Sequence, residues 1–388
     1  MKKWIGYLVA GIFAAITGAL VAFAQAHRVL VDMIYPYMTR LIITTLSEMN
    51  AGGGVVWQWL LFFLLLISIG TLVLNIIFKR SIIRWIGWQL AVVSLISMLS
   101  TGLYGLNAYA SPLADDMRLE ITNYTVSELN EATVYFRDKA NALAKEVGRD
   151  DKGNVDFGTF EEMANQAGEG FKNLTYKQAI SVYAGSTVPV KKQGWFRVKG
   201  DSGITVALTG EACVNPGVPT VAMPFAMCKE MAHRMTIYSD MDANFSAFLA
   251  CTNNSSKEFL YSGYLMAYYY CYNALVNIPT STAQACAAQT KKGQAELVTG
   301  DLEDVAKFYD RAKETRNQEV NLKADGEKSE DTTDVVTFSS YSSSTDLFAS
   351  WYIQNFILPE HREEEAPFDP YDPTQVDLTG IPNATEGS

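Results

Sequence analysis

The chain has 388 residues, enough for more than one domain, and 48% hydrophobic content at a mean hydropathy of +0.03 indicates a mixed membrane and soluble chain. Its formal net charge of −11 is unevenly placed: residues 1–110 carry +5 and the remainder −16, so the acidic part lacks the basic footprint that nucleic acid requires. Five cysteines (Cys213, Cys228, Cys251, Cys271, Cys286) are an odd number with no C-x-x-C pair, which argues against a zinc ribbon or a full disulfide framework and leaves room for one pair, such as Cys271 with Cys286.

Residues 4–24 form an apolar run behind Lys2 and Lys3, long enough to span a bilayer. Ala24-Gln25-Ala26 resembles a signal-peptidase site, so cleavage is a rival reading; the length of the run and the two spans that follow favour an uncleaved helix. Residues 55–78, with LLFFLLLISIGTLVL at their centre, are the clearest span. Residues 85–108 are the third, with Trp85 and Trp88 at one end and Tyr104 at the other, as in an aromatic belt. Gln89 and Asn107 within it suit helix–helix contact.

Lys79, Arg80 and Arg84 crowd the short link between the second and third spans. With Lys2 and Lys3 they place the N-terminus and that link in the cytoplasm. Residues 25–54 and everything after about 110 then lie outside, in a multi-pass protein of the plasma membrane whose first partner is the lipid bilayer. In the outer segment Pro36 is a break, and residues 38–49 suit a short interfacial helix.

The outer domain, expected over residues 111–323, opens with Thr125-Val126-Ser127-Glu128, a capping box. Val126, Leu129, Ala132, Phe136, Ala140 and Leu143 then recur at helical spacing to about residue 147. Thr159-Phe160-Glu161-Glu162 starts a second helix by the same signal. Residues 196–208 mix β-branched residues with Gly200-Asp201-Ser202-Gly203, a hairpin-like signal. Residues 257–276 hold six tyrosines; one hydroxyl could stabilise an oxyanion, although packing accounts for most of them. A charged helix follows over 301–316, then a polar insertion at 324–346, a short apolar docking segment from 347 and an acidic, disordered tail to 388.

The chemistry-bearing stretch is Lys229-Glu230-Met231-Ala232-His233 followed by Asp240-Met241-Asp242-Ala243-Asn244. On a helix, i and i+4 share one face, so an H-E-x-x-H helix grips Zn²⁺ with two histidines while its glutamate activates the metal-bound water. Here Glu230 and His233 fill the base and second-ligand positions, and Lys229 stands in place of the first histidine. An ammonium has no lone pair for a metal. Taken alone, K-E-x-x-H is an ordinary amphipathic pattern.

Its surroundings carry a resemblance. Thr209-Gly210-Glu211-Ala212, Pro224-Phe225, Leu249-Ala250-Cys251 and Tyr261-Ser262-Gly263-Tyr264-Leu265 flank the two motifs. The order resembles a family of uncharacterised bacterial membrane proteins, carrying a domain of unknown function, with three transmembrane helices and an extracytoplasmic zincin-type metallopeptidase domain. The family pattern runs TGEAN, PF, CHEMAHQRG, EDEAN, YSGYL. The resemblance implies a bundle of three transmembrane helices plus a mainly helical α+β zincin-like ectodomain with a small β-sheet. It also implies Glu230 as a vestigial general base and His233 and Asp240 as degenerate metal-ligand positions. Glu211, Asp242, Asn244 and Tyr261 are further cleft candidates.

The departures matter. Lys229 replaces a histidine, Asp240 and Asp242 replace glutamates, Thr236 replaces a glycine and Cys213 an asparagine. Asp is shorter than Glu by about 1.5 Å of reach, and Zn–O distances tolerate only a few tenths of an ångström. The leading expectation is a pseudo-metallopeptidase without a cofactor, acting by binding a polypeptide or membrane-protein partner. The alternatives are an active zinc enzyme using His233, Asp240 and Asp242 or Glu211, and a purely structural membrane protein. Lys229 is expected within about 3 Å of the Asp240 carboxylate, standing in for a cation. Were that carboxylate buried, Lys229→Met would cost roughly 2–4 kcal/mol.

Overall fold

The computed structural model describes residues 4–121, 123–176, 181–197, 200–316, 335–336 and 343–358. Four apolar helices of 22 residues open the chain: α1 (Ile5–Ala26), α2 (Arg28–Met49), α3 (Val56–Ile77) and α4 (Ile82–Leu103). Each is about 33 Å long, enough to cross a hydrocarbon core. In α3 no residue of the most apolar window is buried. Such a surface is stable only in a lipid solvent, and it marks a membrane protein. Among the described residues four helices are long and apolar enough to cross, one more than the three spans expected.

α1 and α4 run parallel. A Cβ on Gly6 would lie 2.5 Å from the Gly87 carbonyl carbon, and one on Gly102 would meet Leu20 at 3.7 Å. Small residues let the two backbones approach at one end, and Tyr7 donates a hydrogen bond to the Ile83 carbonyl there (3.0 Å). α3 and α4 form a hairpin held by Trp85 Nε1–H to Thr71 Oγ1 and Ser68 Oγ–H to Gln89 Oε1, both 3.0 Å. Gln89 therefore makes the helix contact expected of it. Asn107 lies outside the helix: α4 ends at Leu103, and Asn107 sits in a 3-10 turn, Gly105–Tyr109.

α2 corrects the expectation of a broken segment. It continues through Pro36, because tertiary contacts on both sides of the proline override its local cost. Before the proline, Tyr35 donates to the Thr101 carbonyl (3.2 Å); after it, Arg40, Ile43 and Ser47 are buried. The opposite face, with Val29, Met33 and Leu41, is exposed.

The folded domain follows. A short helix α5 (Leu113–Met117) and a two-residue strand β1 (Tyr124–Thr125) lead into α6 (Val126–Leu143) and α7 (Phe160–Tyr176). Thr125 and Glu128 form the capping box of α6, and Thr159 and Glu162 make the same reciprocal pair before α7. Strands β2 (Lys191–Lys192), β3 (Gly203–Val206) and β4 (Glu211–Val214) form a sheet in the order β2-β4-β3, with β2 parallel and β3 antiparallel to β4. The hairpin turn falls over residues 207–210, not at the glycines of 200–203. Gly210 has φ +67°, and a Cβ there would strike Ser47 N of α2 at 2.4 Å, so two constraints demand glycine.

Helices α8 (Met223–Arg234), α9 (Asp240–Thr252) and α10 (Lys257–Asn277) build the core with α6 and α7. α11 (Ser281–Lys292) adds Ala283 and Ala287 to it, and α12 (Glu296–Arg316) adds Val298 and Val305. A Cβ on Gly170 of α7 would overlap the Ala250 carbonyl of α9, so these helices touch backbone to backbone. β5 (Val335–Val336) pairs with β1. α13 (Ser344–Tyr352) packs Phe348 and Trp351 against Phe136 and Phe248, and its Asp346 accepts a hydrogen bond from Tyr124 (2.9 Å). Most of the polar insertion and the whole acidic tail lie outside the described residues. All five cysteines are free thiols; no Cys271–Cys286 pair forms, and Cys228 Sγ lies 3.8 Å from Cys251 Sγ.

Glu211 ties the domain to the membrane helices. Its buried carboxylate accepts hydrogen bonds from Val56 N and Trp57 N, both 2.8 Å, at the start of α3, and pairs with Lys191 Nζ at 2.7 Å. A carboxylate there meets the helix dipole and two otherwise orphan N–H groups. Glu211→Ala leaves those two donors unpaired and the largely buried Lys191 ammonium without its counter-charge, held by the Gly54 carbonyl at 2.8 Å. It is expected to cost about 3–5 kcal/mol, read as a lowered thermal midpoint of the full chain in detergent; a melt that overlays the parent would show the cap to be dispensable.

Candidate functional site

α8 starts with Pro224 in its first turn, where a missing N–H costs nothing. It ends in a Schellman motif: Thr236 N–H donates to the His233 carbonyl (3.0 Å) and Ile237 N–H to Ala232 (3.2 Å). That motif needs a left-handed residue, and Thr236 supplies it at φ +73°. A β-branched residue is strained there, which is why glycine suits this position. Arg40 of α2 steadies the turn, donating to Met235 O (3.0 Å) and Thr236 Oγ1 (3.4 Å). Ser239 then caps α9 by accepting from Met241 N (3.2 Å), which sets Asp240 at the head of that helix.

Three predicted residues meet at this junction. Lys229 Nζ lies 2.8 Å from Asp240 Oδ1, and His233 Nε2 lies 3.3 Å from the same oxygen. The Ile237 carbonyl 2.9 Å from His233 Nδ1 can only accept, so Nδ1 carries a proton, and an Nε2–H bond to the Asp240 carboxylate as well requires the doubly protonated ring. This carbonyl support is the usual outer shell of a metal-bound histidine. The His233 hydrogen bond, together with Lys229, holds the Asp240 carboxyl well below the usual range. Burial would lower the Lys229 pKa, but Asp240 and Glu230 outweigh it and raise it, so the ammonium stays charged.

One expectation about this pair fails. The Asp240 side chain is 76% exposed, not buried: it stands in the first turn of α9, with Lys229 and His233 meeting one of its oxygens. Loss of Lys229 therefore leaves a solvated carboxylate. The pair is worth at most about 1 kcal/mol, not the 2–4 of a buried one.

Glu230 is buried behind them. Thr205 Oγ1 of β3 lies 3.0 Å from Glu230 Oε2 and 2.9 Å from the Glu230 carbonyl. A Cβ on Gly203 would lie 2.6 Å from Glu230 Cγ, so that glycine lets the strand close over the glutamate. Burial raises the Glu230 pKa, against the lowering effect of His233, Lys229 and Thr205. Thr205 and Tyr309 are neighbours the motif does not name. Thr205 lies on β3, within the stretch that carries the hairpin-like signal; Tyr309 reaches the charges of Lys229 and Glu230 from α12, stacked on Tyr269, and no sequence pattern marks it.

The other candidates are employed elsewhere. Glu211 caps α3. Tyr261 is fully buried, and its hydroxyl donates to Asp301, which Arg149 also holds through two nitrogens (2.7 and 3.2 Å). Asn244 donates to Ser344 Oγ (3.1 Å), and Asp242 is buried in the first turn of α9, with its carbonyl accepting from Ser246. Among the described residues no group of three or more His, Cys, Asp or Glu side chains is placed to hold a metal ion. Lys229 puts an ammonium against the Asp240 oxygen that a metal would require, so the residues present do not fit zinc.

A family model described as a protein of unknown function (DUF3810) matches residues 31–329. No curated protein and no solved structure matches the chain.

The Glu230 shift carries a pH signature. A carboxyl whose pKa is raised on folding favours the folded state while protonated and opposes it once charged. The contribution of Glu230 to parent stability should therefore fall as pH rises from about 4.3. Glu230→Gln removes that loss and can still accept from Thr205. The variant should melt higher than the parent at pH 7, with the gap closing below about pH 4; a constant gap across this range would mean that Glu230 does not titrate as described.

Proposed function

This chain belongs to the DUF3810 family, and on that premise we propose that it is a membrane-anchored, extracytoplasmic zincin-like protein without metallopeptidase activity, which acts by binding a polypeptide or membrane-protein partner. The single observation that carries this reading is the Lys229–Asp240 pair, with His233 on the same oxygen. A base-position glutamate, a carbonyl-supported histidine and an acidic residue on the next helix keep a zincin arrangement, and an ammonium occupies the cation's place. Additional support comes from β3, an edge strand whose Thr205 touches Glu230. Edge strands accept extended peptides by adding a strand, and one bound there would lie beside the strand that covers Glu230.

Topology follows from a parity argument. α1 and α4 lie parallel, so their N-termini share one side. An even number of crossings must separate those ends. α1 and α3 supply two; a crossing by α2 would make three. In this reading α2 lies along the outer interface, its apolar face in lipid and its other face on the domain, and the spans are three. The basic residues at both cytoplasmic ends agree.

Two outcomes are expected. The purified parent should carry no stoichiometric zinc by elemental analysis, whereas Lys229→His with Asp240→Glu should take up about one equivalent by restoring a three-ligand set. Zinc in the parent, or none in the folded double variant, would reverse the reading of the site. Protease added to intact spheroplasts should digest the domain after residue 110; full protection would overturn the orientation.

A further inference from the structure

Helices α8 and α9 touch through sulfur. Cys228 Sγ on α8 lies 3.8 Å from Cys251 Sγ on α9, and both residues are fully buried in the core. The other three cysteines lie on β4, α10 and α11. A disulfide needs its sulfurs about 2.05 Å apart, so the gap closes if each moves by about 0.9 Å. The helices are already held close at this point. A Cβ on Gly263 of α10 would lie 2.7 Å from the Cys251 Cβ, and one on Gly170 of α7 would overlap the Ala250 carbonyl, so α9 is fixed against two neighbours beside Cys251. Cys228 Sγ–H also reaches the Ala167 carbonyl, at a weak 4.0 Å.

Burial, followed by the contact with Cys228, raises the Cys251 pKa well above its usual value. In the finished fold the pair is an un-ionised dithiol out of reach of soluble reagents, so oxidation has to precede closure of the core. The spacing gives a cross-link here a particular effect. Cys228 immediately precedes Lys229, and Cys251 lies 23 positions further on than Cys228. The loop that the bond closes contains Lys229, Glu230, His233, Asp240 and the left-handed turn at Thr236. Joining its ends restricts the unfolded chain. It also ties α8 to α9 independently of the Lys229–Asp240 pair, which solvent weakens.

We propose that Cys228 and Cys251 form a disulfide as the exported domain folds, with a protein disulfide of the extracytoplasmic compartment as oxidant. The thiolate of one cysteine attacks the oxidant's disulfide and expels one of its sulfurs as a thiolate. The second cysteine then attacks the mixed disulfide and expels the other. The two cysteines together lose two electrons and two protons, and the oxidant leaves as a dithiol. The bond forms in the cell only if the domain is extracytoplasmic, as proposed above, since a reducing compartment keeps both thiols.

The test counts thiols on the full chain. Isolated membranes are denatured with N-ethylmaleimide and no reductant, and the chain is read by intact and peptide mass. Three adducts are expected, at Cys213, Cys271 and Cys286, with one peptide joining Cys228 to Cys251; prior reduction should give five. In Cys251→Ser every remaining cysteine should be alkylated. A second arm separates the bond from the compartment: the reduced parent in detergent is opened in urea with a mixture of reduced and oxidised glutathione, returned to buffer and counted in the same way. A Cys228–Cys251 link in this arm alone would support the pairing and overturn the extracytoplasmic placement. Five adducts in both arms, or a link between any other two cysteines of the parent, would overturn the pairing; if Cys251→Ser fails to fold, the parent counts decide.

Discussion

Two charges hold the seam between the apolar helices and the folded domain, and the site is positioned by them. Glu211 reaches out of the sheet to cap α3, satisfying two backbone donors that no side chain of α3 itself reaches. Arg40 reaches the other way, from α2 to the C-terminal turn of α8. A cation at a helix C-terminus and a carboxylate at an N-terminus are each favoured by the helix dipole. Both are largely buried, so neither is easily exchanged for water. The α8–α9 junction that carries Lys229, His233 and Asp240 is thereby registered against the helices below it.

The junction itself is built from separate local contacts. The Lys229 ammonium meets the Asp240 carboxylate of the next helix. His233 is oriented by the Ile237 carbonyl, and Glu230 is buried under β3. Thr236 is the least comfortable residue: the Schellman turn needs a positive φ, and threonine holds it with help from Arg40. Exposure of Asp240 keeps the cost of losing Lys229 small, since a solvated carboxylate never depended on one partner.

The sequence by itself determined the elements whose signals are local. Capping boxes at Thr125 and Thr159, the 3.6-residue repeat of α6, the apolar runs of α1, α3 and α4, and the i, i+4 placement of Lys229 and His233 need only neighbouring residues. Tertiary structure alone decided the rest. α2 runs through Pro36 because residues far along the chain bind both its halves, which no local propensity records. Glu211 reads in sequence as a cleft acid and proves to be a helix cap, since the two N–H groups it caps lie 155 and 154 positions away. Tyr309 reaches the site from a helix that carries no motif, and Asp240 stays largely exposed at the head of α9. These outcomes depend on which surfaces meet after folding, and that is set by the packing of the whole chain rather than by any stretch of it.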